Sequence, residues 1–267
     1  MKRGTETRRA VLRDLEHIGL RLREIFHHPF QAPAARHPVR SAHRLLGLLK
    51  ASVEGARDTR RLKRDFPSLT DLDDSVVKAV GELEATYQEY VTMISRWDWA
   101  ISLELAAVLM ACCRLLLPTR ILDTGSGYSS YVLRRYAAEA LRPIHVTSVD
   151  DDPEWLEETR GYLMRQGLSA NDTLTWDEFK GQDRGEFDLV LHDLGHENER
   201  LRTLSDVLTL VRPGGAVLLD DVGNPHMERY GPYARRMLSA RRFRAYSLRA
   251  LTRERGYSRY AMLGVRL

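Results

Sequence analysis

The residues best suited to chemistry lie in a glycine-rich turn near the middle of the chain. An apolar run at residues 121–122 ends in Asp123, and Gly125 and Gly127 follow before a helix-forming stretch. Glycines in such a turn permit a positive φ and allow a ligand to touch the backbone. The free N–H groups at the start of the next helix attract an anion. The pattern predicts a strand, a turn and a helix that hold a nucleotide-like or amino-acid-like cofactor.

A second acid stands at the end of the next apolar run. Residues 144–149 form this run, and Asp150 ends it. An acid about 20 residues after the glycines is placed to bind ribose hydroxyls. The turn has no third glycine, so it departs from the GxGxxG fingerprint of dinucleotide-binding folds, which argues against NAD and FAD.

Three further acids end two later strands of the predicted sheet. Asp193 follows the apolar run at 187–192, and Asp220 and Asp221 follow a later run. Those strands should be neighbours, about 5 Å apart. Their carboxylates would repel one another unless something compensates. Hard oxygen ligands of this kind suit Mg²⁺ or Ca²⁺, so the spacing predicts a divalent cation site.

Four motifs together resemble the class I S-adenosylmethionine-dependent methyltransferases. They are Asp-x-Gly-x-Gly at 123–127, Ser-Val-Asp-Asp-Asp-Pro-Glu-Trp at 148–155, Phe-Asp-Leu-Val-Leu-His-Asp at 187–193 and Val-Arg-Pro-Gly-Gly-Ala-Val-Leu-Leu-Asp-Asp at 211–221. The motifs occur in the family's order, and the resemblance covers residues 97–267. The Gly-Tyr-Ser-Ser turn and the Asp-Asp pair look most like small-molecule O-methyltransferases of the catechol type or the macrolide-sugar type.

The resemblance implies a Rossmann-like, doubly wound α/β fold. Its sheet has seven mostly parallel strands and an antiparallel last strand. The alternation of helix and strand patterns agrees with such a sheet, and strands are predicted at 120–123, 145–150, 173–176, 187–192 and 216–221. Two final apolar runs, at 243–251 and 257–265, predict a hairpin. We expect residues 1–96 to be a helical extension that caps the site or forms a dimer, and residues 97–267 to be the methyltransferase domain.

The resemblance also implies which residues bind S-adenosylmethionine. Around its methionine part we expect Asp123, Gly125, Ser126, Gly127, Tyr128, Ser129 and Ser130. Asp150, with Asp151 beside it, is placed for the ribose. Trp176 and Asp177 are placed for the adenine, although Trp176 also fits a core aromatic. Ser102 lies in the segment before the fold, where related enzymes close over the cofactor.

The same resemblance places Asp193, Asp220 and Asp221 at Mg²⁺-binding positions. Catechol-type enzymes use an Asp after strand four and an Asp-Asn pair after strand five. The metal would bind two oxygens of a hydroxylated small-molecule acceptor and lower the pKa of the one that is methylated. No lysine base is evident beside Asp193, so a metal-free alternative remains, in which His192 or His196 is the general base and Asp193 orients it. His192 also fits a core residue at a strand end, and His196 a solvated loop residue.

Charge is unevenly distributed along the chain, whose net charge is +4. Residues 1–64 hold 16 Lys and Arg against 6 Asp and Glu. Such a segment is typical of a solvated helical face or of a surface for an anionic partner. An RNA methyltransferase that docks through it is the alternative function. The Asn/Asp-Pro-Pro-aromatic motif of exocyclic-amine methyltransferases is absent after strand four, which argues against that alternative. The intact glycine turn argues against a third alternative, an inactive cofactor-binding scaffold.

The first third of the chain is predicted to be helical, with apolar periodicity at 11–25, 45–49 and 74–95. No apolar run is long enough for a membrane span, and the N-terminus lacks the apolar core of a secretion signal. The adjacent Cys112 and Cys113 fit core residues in a reducing compartment. We therefore expect a cytoplasmic protein without membrane contact, and a homodimer formed through the N-terminal helices.

Overall fold

The computed structural model describes residues 55–183, 185–252 and 259–267. The predicted helices over 11–25 and 45–49, and most of the basic segment, lie outside the described residues. In chain order the described elements are α1 (55–65), a 3₁₀ turn (Pro67–Leu69), α2 (Leu72–Met93), α3 (Leu103–Leu116), β1 (Arg120–Thr124), α4 (Tyr128–Glu139), β2 (His145–Asp150), α5 (Pro153–Arg165), β3 (Thr173–Thr175), α6 (Trp176–Lys180), β4 (Phe187–His192), α7 (Glu197–Thr209), β5 (Val211–Leu219), α8 (Tyr230–Ala240), β6 (Phe243–Ser247), α9 (Arg249–Thr252) and β7 (Met262–Arg266).

The seven strands form one sheet in the order β3-β2-β1-β4-β5-β7-β6. Strands β1 to β5 pair in parallel. Strand β7 runs antiparallel to both β5 and β6. The prediction of a mostly parallel seven-stranded sheet with an antiparallel last strand is confirmed, as is the pairing of the last two strands.

Several strand boundaries differ from the prediction, and β6 (Phe243–Ser247) and β7 (Met262–Arg266) are shorter than the predicted runs at 243–251 and 257–265. Strand β3 ends at Thr175, because the Thr175 hydroxyl caps α6 by accepting from the Glu178 N–H at 3.3 Å, and Trp176 becomes helical. Strand β5 begins at Val211 rather than at residue 216. Its register on β4 changes between Phe187 and Leu189, and the glycines at 214–215 lie in the irregular part.

Helices cover both faces of the sheet, and this explains the composition of its strands. In β4, Leu189 and Leu191 face one hydrophobic core and Val190 faces the other. A parallel sheet that is buried on both faces requires continuous apolar runs rather than alternation. The first core is built with α2, α3 and α4, and the second with α7 and α8.

Helix α3 is the most deeply buried helix of the first core. Its residues 105–113 are all buried, including the free cysteines Cys112 and Cys113. Helix α2 packs against α3, so residues 72–93 share a core with the sheet. The proposed domain boundary after residue 96 stays a prediction. Among the described helices, none combines the length and apolar character that a membrane span requires.

Candidate cofactor and active site

The glycine turn joins β1 to α4 at the carboxyl end of the parallel strands. Gly125 has a φ of +95° and Gly127 a φ of +145°. A Cβ on Gly125 would lie 2.4 Å from the carbonyl oxygen of Asp193. The turn therefore presses against the end of β4, and the backbone contact leaves no room for a side chain at position 125.

Asp123 lies fully buried at the start of the turn. Its Oδ2 accepts from Ser130 Oγ at 2.5 Å and from Ser148 Oγ at 2.9 Å, and Arg134 donates to Ser148 Oγ at 2.6 Å. Its Oδ1 is buried and has no hydrogen-bond partner. Burial raises the pKa of Asp123, while the Ser130 hydroxyl opposes that rise. A buried carboxylate oxygen without a partner fits the ammonium group of an amino-acid-like cofactor.

Asp150 ends β2 and fixes the turn from the opposite side. Its Oδ2 accepts from the N–H and the hydroxyl of Ser126 at 2.6 and 2.8 Å, and its Oδ1 accepts from the Asp152 N–H at 3.1 Å. Burial raises the pKa of Asp150 to about 6. A carboxylate offers roughly four acceptor positions, so capacity remains for a ribose hydroxyl. The Trp155 indole N–H donates to the Ser126 carbonyl at 2.9 Å and braces the same turn.

The other hydroxyl residues of the turn bind their own surroundings. Ser129 Oγ donates to the Gly125 carbonyl at 3.2 Å. The Tyr128 hydroxyl donates to the Leu83 carbonyl at 3.0 Å and lies 2.8 Å from the Thr86 hydroxyl. The side chain of Tyr128 is thus directed toward α2. Only the backbone of Tyr128 would therefore be available to a cofactor.

Three predicted cofactor residues lie farther along the chain than the turn and Asp150. Trp176 is 6% exposed and packs against Phe179, with ring centroids 5.9 Å apart. This arrangement matches the alternative of a core aromatic. Asp177 is exposed and pairs with Lys180 at 2.9 Å. Asp151 is exposed, and its carboxylate lies beside Gly195 in the loop that follows β4.

Ser102 has a clear local role at the start of α3. It is 4% exposed, and its hydroxyl accepts from the Leu105 N–H at 3.1 Å. This is an N-cap, which satisfies one of the free N–H groups of the helix. Contact between Ser102 and the cofactor stays a prediction.

The structure brings together Asp193, Asp220 and Asp221. One carboxylate oxygen from each lies within 4.8 Å of the others. They meet because β4 and β5 are paired in parallel and end at the same edge of the sheet. Burial raises the pKa of Asp193 and of Asp220 above the ordinary value, and the charge of Asp221 adds to both increases. We call these three residues the acidic cluster.

A buried arginine that the sequence did not reveal lies within the acidic cluster. Arg200 of α7 is 4% exposed. Its guanidinium donates to Asp193 Oδ1, to Asp221 Oδ2 at 3.2 Å and to the Asp220 carbonyl at 3.3 Å. Arg259 is also buried, and its charge lowers the pKa of Asp193 and Asp220. The positive charges of Arg200 and Arg259 thus act on the acidic cluster, and one oxygen of Asp221 has no hydrogen-bond partner.

The two candidate histidines have different environments. His192 is fully buried, with Nδ1 2.8 Å from the Tyr230 hydroxyl and Nε2 3.0 Å from the Thr203 hydroxyl. Burial lowers the pKa of His192 to about 3. Both ring nitrogens are engaged, so the geometry supports the core alternative for His192 over a role as general base. His196 is exposed immediately before α7.

Comparison with known proteins agrees with this geometry. Residues 122–222 match a family model described as a methyltransferase domain. The matched segment begins within β1 and ends just after the acidic cluster. The match and the seven-stranded sheet support the resemblance to the class I S-adenosylmethionine-dependent methyltransferases. No curated protein sequence matches the chain significantly.

Several solved structures share the fold. The O-methyltransferase TomG from Streptomyces achromogenes, involved in tomaymycin synthesis and solved in complex with SAM, is 21% identical with a TM-score of 0.51, over 72% of this chain and 90% of that chain. An O-methyltransferase from Bacillus cereus in complex with SAH is 17% identical with a TM-score of 0.50, over 72% and 91%. Cofactor-bound Rv0187 from MTB is 20% identical with a TM-score of 0.51, over 78% and 95%. At these identities the likeness establishes the fold.

Proposed function

We propose that this enzyme methylates a hydroxyl oxygen of a small molecule. The observation that carries the proposal is the contact between the cofactor turn and the acidic cluster. Gly125 lies directly against the backbone of Asp193. An acceptor held by the acidic cluster would therefore lie beside a cofactor held by the turn, and such proximity is the main contribution that a methyltransferase makes.

The residues around the turn suit S-adenosylmethionine. Asp123, whose Oδ1 is buried without a partner, would bind the ammonium group. Asp150 would bind a ribose hydroxyl. When bound, S-adenosylmethionine supplies a methyl group on a positively charged sulfur, which an acceptor oxygen displaces in line. The chain's own contribution is to orient the two partners and to manage the proton of the acceptor hydroxyl.

The acidic cluster also suits a divalent cation such as Mg²⁺. Its donors are hard carboxylate oxygens that converge within 4.8 Å, and Asp221 Oδ1 is buried without a partner. Asp193, Asp220 and Asp221 would hold the ion, and there it would lower the pKa of the acceptor hydroxyl. Arg200 uses one oxygen each of Asp193 and Asp221, which leaves the second oxygen of each for the ion.

The proton of the acceptor hydroxyl would pass to a nearby base. In the absence of an ion, Asp193, whose pKa burial raises, would be able to accept this proton. His196 follows it in the same loop and is exposed. His192 has no unengaged ring nitrogen for this role.

The acceptor class is supported by the neighbours that are themselves named O-methyltransferases, one of which is involved in tomaymycin synthesis. A role in secondary metabolism is part of the proposal. The cytoplasmic location, the homodimer and the alternative of RNA docking stay predictions from the sequence.

Calorimetric titration of S-adenosylhomocysteine tests the proposal, first with Mg²⁺ and then with EDTA. We expect cofactor binding in both buffers and a separate Mg²⁺ signal that Asp220→Ala abolishes. Asp206→Ala, an exposed acid on α7, is the control and should keep both signals. An acceptor screen would then begin with catechols and vicinal diols. A protein that binds no S-adenosylhomocysteine contradicts the cofactor assignment, and one that binds it but gives no separate Mg²⁺ signal contradicts the metal.

A further inference from the structure

Two buried phenol groups in the first core have no hydrogen-bond partner. They belong to Tyr90 of α2 and Tyr162 of α5. An unsatisfied buried hydroxyl destabilises a fold, and most buried polar atoms in proteins are satisfied. Each of these hydroxyls therefore needs an explanation, and the two have different surroundings.

The Tyr90 hydroxyl lies over the cofactor turn. A Cβ placed on Gly127 would meet the Tyr90 hydroxyl oxygen at 2.9 Å, closer than any other atom, and the Trp155 ring at 3.8 Å. The hydroxyl thus occupies the side of the turn that the glycine leaves open. Tyr90 itself is 1% exposed.

The charges near the Tyr90 hydroxyl are those of the two cofactor acids. Burial raises the pKa of Tyr90, and Tyr162, Asp150 and Asp123 raise it further. Ser95 lowers this pKa slightly, although its hydroxyl makes no hydrogen bond of normal geometry to Tyr90. The phenol therefore stays protonated throughout the physiological pH range and is available as a donor.

Neighbouring rings hold Tyr90 in this position. Its ring centroid lies 5.3 Å from that of Tyr128 and 4.9 Å from that of Tyr162. Packing of this kind restricts side-chain rotation. The hydroxyl is consequently fixed toward the turn by α2, a helix that precedes the methyltransferase domain in the sequence.

We propose that Tyr90 is a cofactor-binding residue whose hydroxyl donates to the carboxylate at the amino-acid end of S-adenosylmethionine. The ammonium and carboxylate groups of that end share one carbon, so a donor against Gly127, four residues after Asp123, is placed for the carboxylate when Asp123 binds the ammonium group. Asp123 and Asp150 both act electrostatically on the Tyr90 hydroxyl, so a ligand carboxylate near these acids would gain from a neutral donor. The inference rests on the proposed role of Asp123 in binding the ammonium group.

The test compares two ligands on Tyr90→Phe. S-adenosylhomocysteine carries the amino-acid end, whereas 5′-methylthioadenosine lacks it. We expect Tyr90→Phe to bind S-adenosylhomocysteine about tenfold more weakly, the loss of one hydrogen bond to a charged group, and to bind 5′-methylthioadenosine as the wild type does. Calorimetry measures both affinities without any acceptor.

Tyr162→Phe is the matched control. It removes the other unpartnered phenol, from a ring that touches Tyr90, and neither Asp123 nor Asp150 contributes to the pKa of Tyr162. We expect both affinities to be unchanged. The melting temperature of ligand-free Tyr90→Phe should equal or exceed that of the wild type, because the variant loses only an unsatisfied hydroxyl.

Three results would overturn the inference. One is wild-type affinity of Tyr90→Phe for S-adenosylhomocysteine. Another is an equal loss for both ligands, which would indicate that Tyr90 only shapes the pocket. The third is a lower melting temperature without ligand, which would reveal a structural partner for the hydroxyl. A wild-type protein that binds 5′-methylthioadenosine and S-adenosylhomocysteine equally would instead remove the role of Asp123 on which the inference rests.

Discussion

The guanidinium of Arg200 donates to Asp193 and at the same time to Asp221, 3.2 Å away. The two acids come from different strands, so a single side chain of α7 ties the ends of β4 and β5 together. It also supplies positive charge where three carboxylates converge. Removal of one partner from a buried ion pair leaves an uncompensated charge, which is far more costly than loss of a surface pair.

Arg200→Met should therefore strongly destabilise the protein at neutral pH. We expect a loss of about 3–5 kcal/mol in the free energy of unfolding, measured by urea denaturation at pH 7. The control is Arg229→Met, since Arg229 is exposed and pairs with Glu197 at the start of the same helix. An exposed pair is worth about 1 kcal/mol or less. Equal losses in the two variants would contradict the role of Arg200 as an internal counterion.

Gly125→Ala should disrupt the cofactor turn. The new Cβ would lie 2.4 Å from the Asp193 carbonyl oxygen, and neither backbone segment can move without shifting β1 or β4. We expect a loss of more than about 3 kcal/mol and no measurable binding of S-adenosylhomocysteine. Gly167→Ala is the control, because Gly167 also has a positive φ, +69°, but has nothing within 4 Å of its Cβ position. It should cost about 1 kcal/mol and leave cofactor binding intact. Cofactor binding by Gly125→Ala at wild-type affinity would refute the predicted contact.

The raised pKa of Asp150 predicts a stability change with pH. Its pKa is about 6 in the folded protein against an ordinary value of 3.8. The folded state therefore retains the proton more tightly than the unfolded chain. The stabilisation from this group is fully present below about pH 4 and is lost as the pH rises through about 6.

Asp150→Asn removes that titration and isolates its effect. Between pH 4 and pH 7 we expect the free energy of unfolding of the wild type to fall by about 2–3 kcal/mol relative to the variant. His192, with a pKa lowered to about 3, has the opposite pH dependence, but it is common to both proteins and cancels in the difference. A difference that stays constant from pH 4 to pH 7 would contradict the raised pKa.

Gly81→Ala should stabilise the protein. Gly81 lies in the exposed part of α2, and a Cβ there would meet nothing within 4 Å. Alanine lowers the entropy of the unfolded chain and has the higher helix propensity, so we expect a gain of about 0.5–1 kcal/mol and a higher melting temperature. Ala79 on the same helix is fully buried, and Ala79→Gly should act in the opposite direction. A loss of stability in Gly81→Ala would show that α2 is distorted at that position.

The sequence predicts the parts of the site that depend on neighbouring residues. A strand end, a glycine turn and a helix start are adjacent along the chain, so the turn around Gly125 is visible without tertiary structure. The acidic cluster is also predictable, because parallel strands bring their carboxyl ends together. Prediction of the acidic cluster therefore requires only the positions of the strands in the sequence.

Arg200 is harder to find from sequence, because it belongs to the run Glu-Asn-Glu-Arg, which has the composition of a solvated helix. Its burial follows from the helical spacing of 200, 203, 204 and 207, all of which face the sheet. That spacing indicates a buried face but does not say which charge lies on it. Trp176 presents a similar limit, since an aromatic at a strand end fits either a ligand contact or the core, and only its packing against Phe179 distinguishes them. Tyr90 has no signal at all, because α2 reaches the turn only through tertiary packing.

The position of β7 between β5 and β6 affects how the protein is made. On the ribosome, β5 emerges well before residues 262–266, and it has no partner on that edge until they appear. Strand β6 is synthesised earlier than β7 but cannot join the sheet without it. An unpaired apolar edge at residues 216–219 therefore persists during translation, and such edges favour pairing with other chains. During synthesis the chain should therefore need a chaperone, or rapid completion of β7, to avoid aggregation. The folded protein, in which β7 covers this edge, should not.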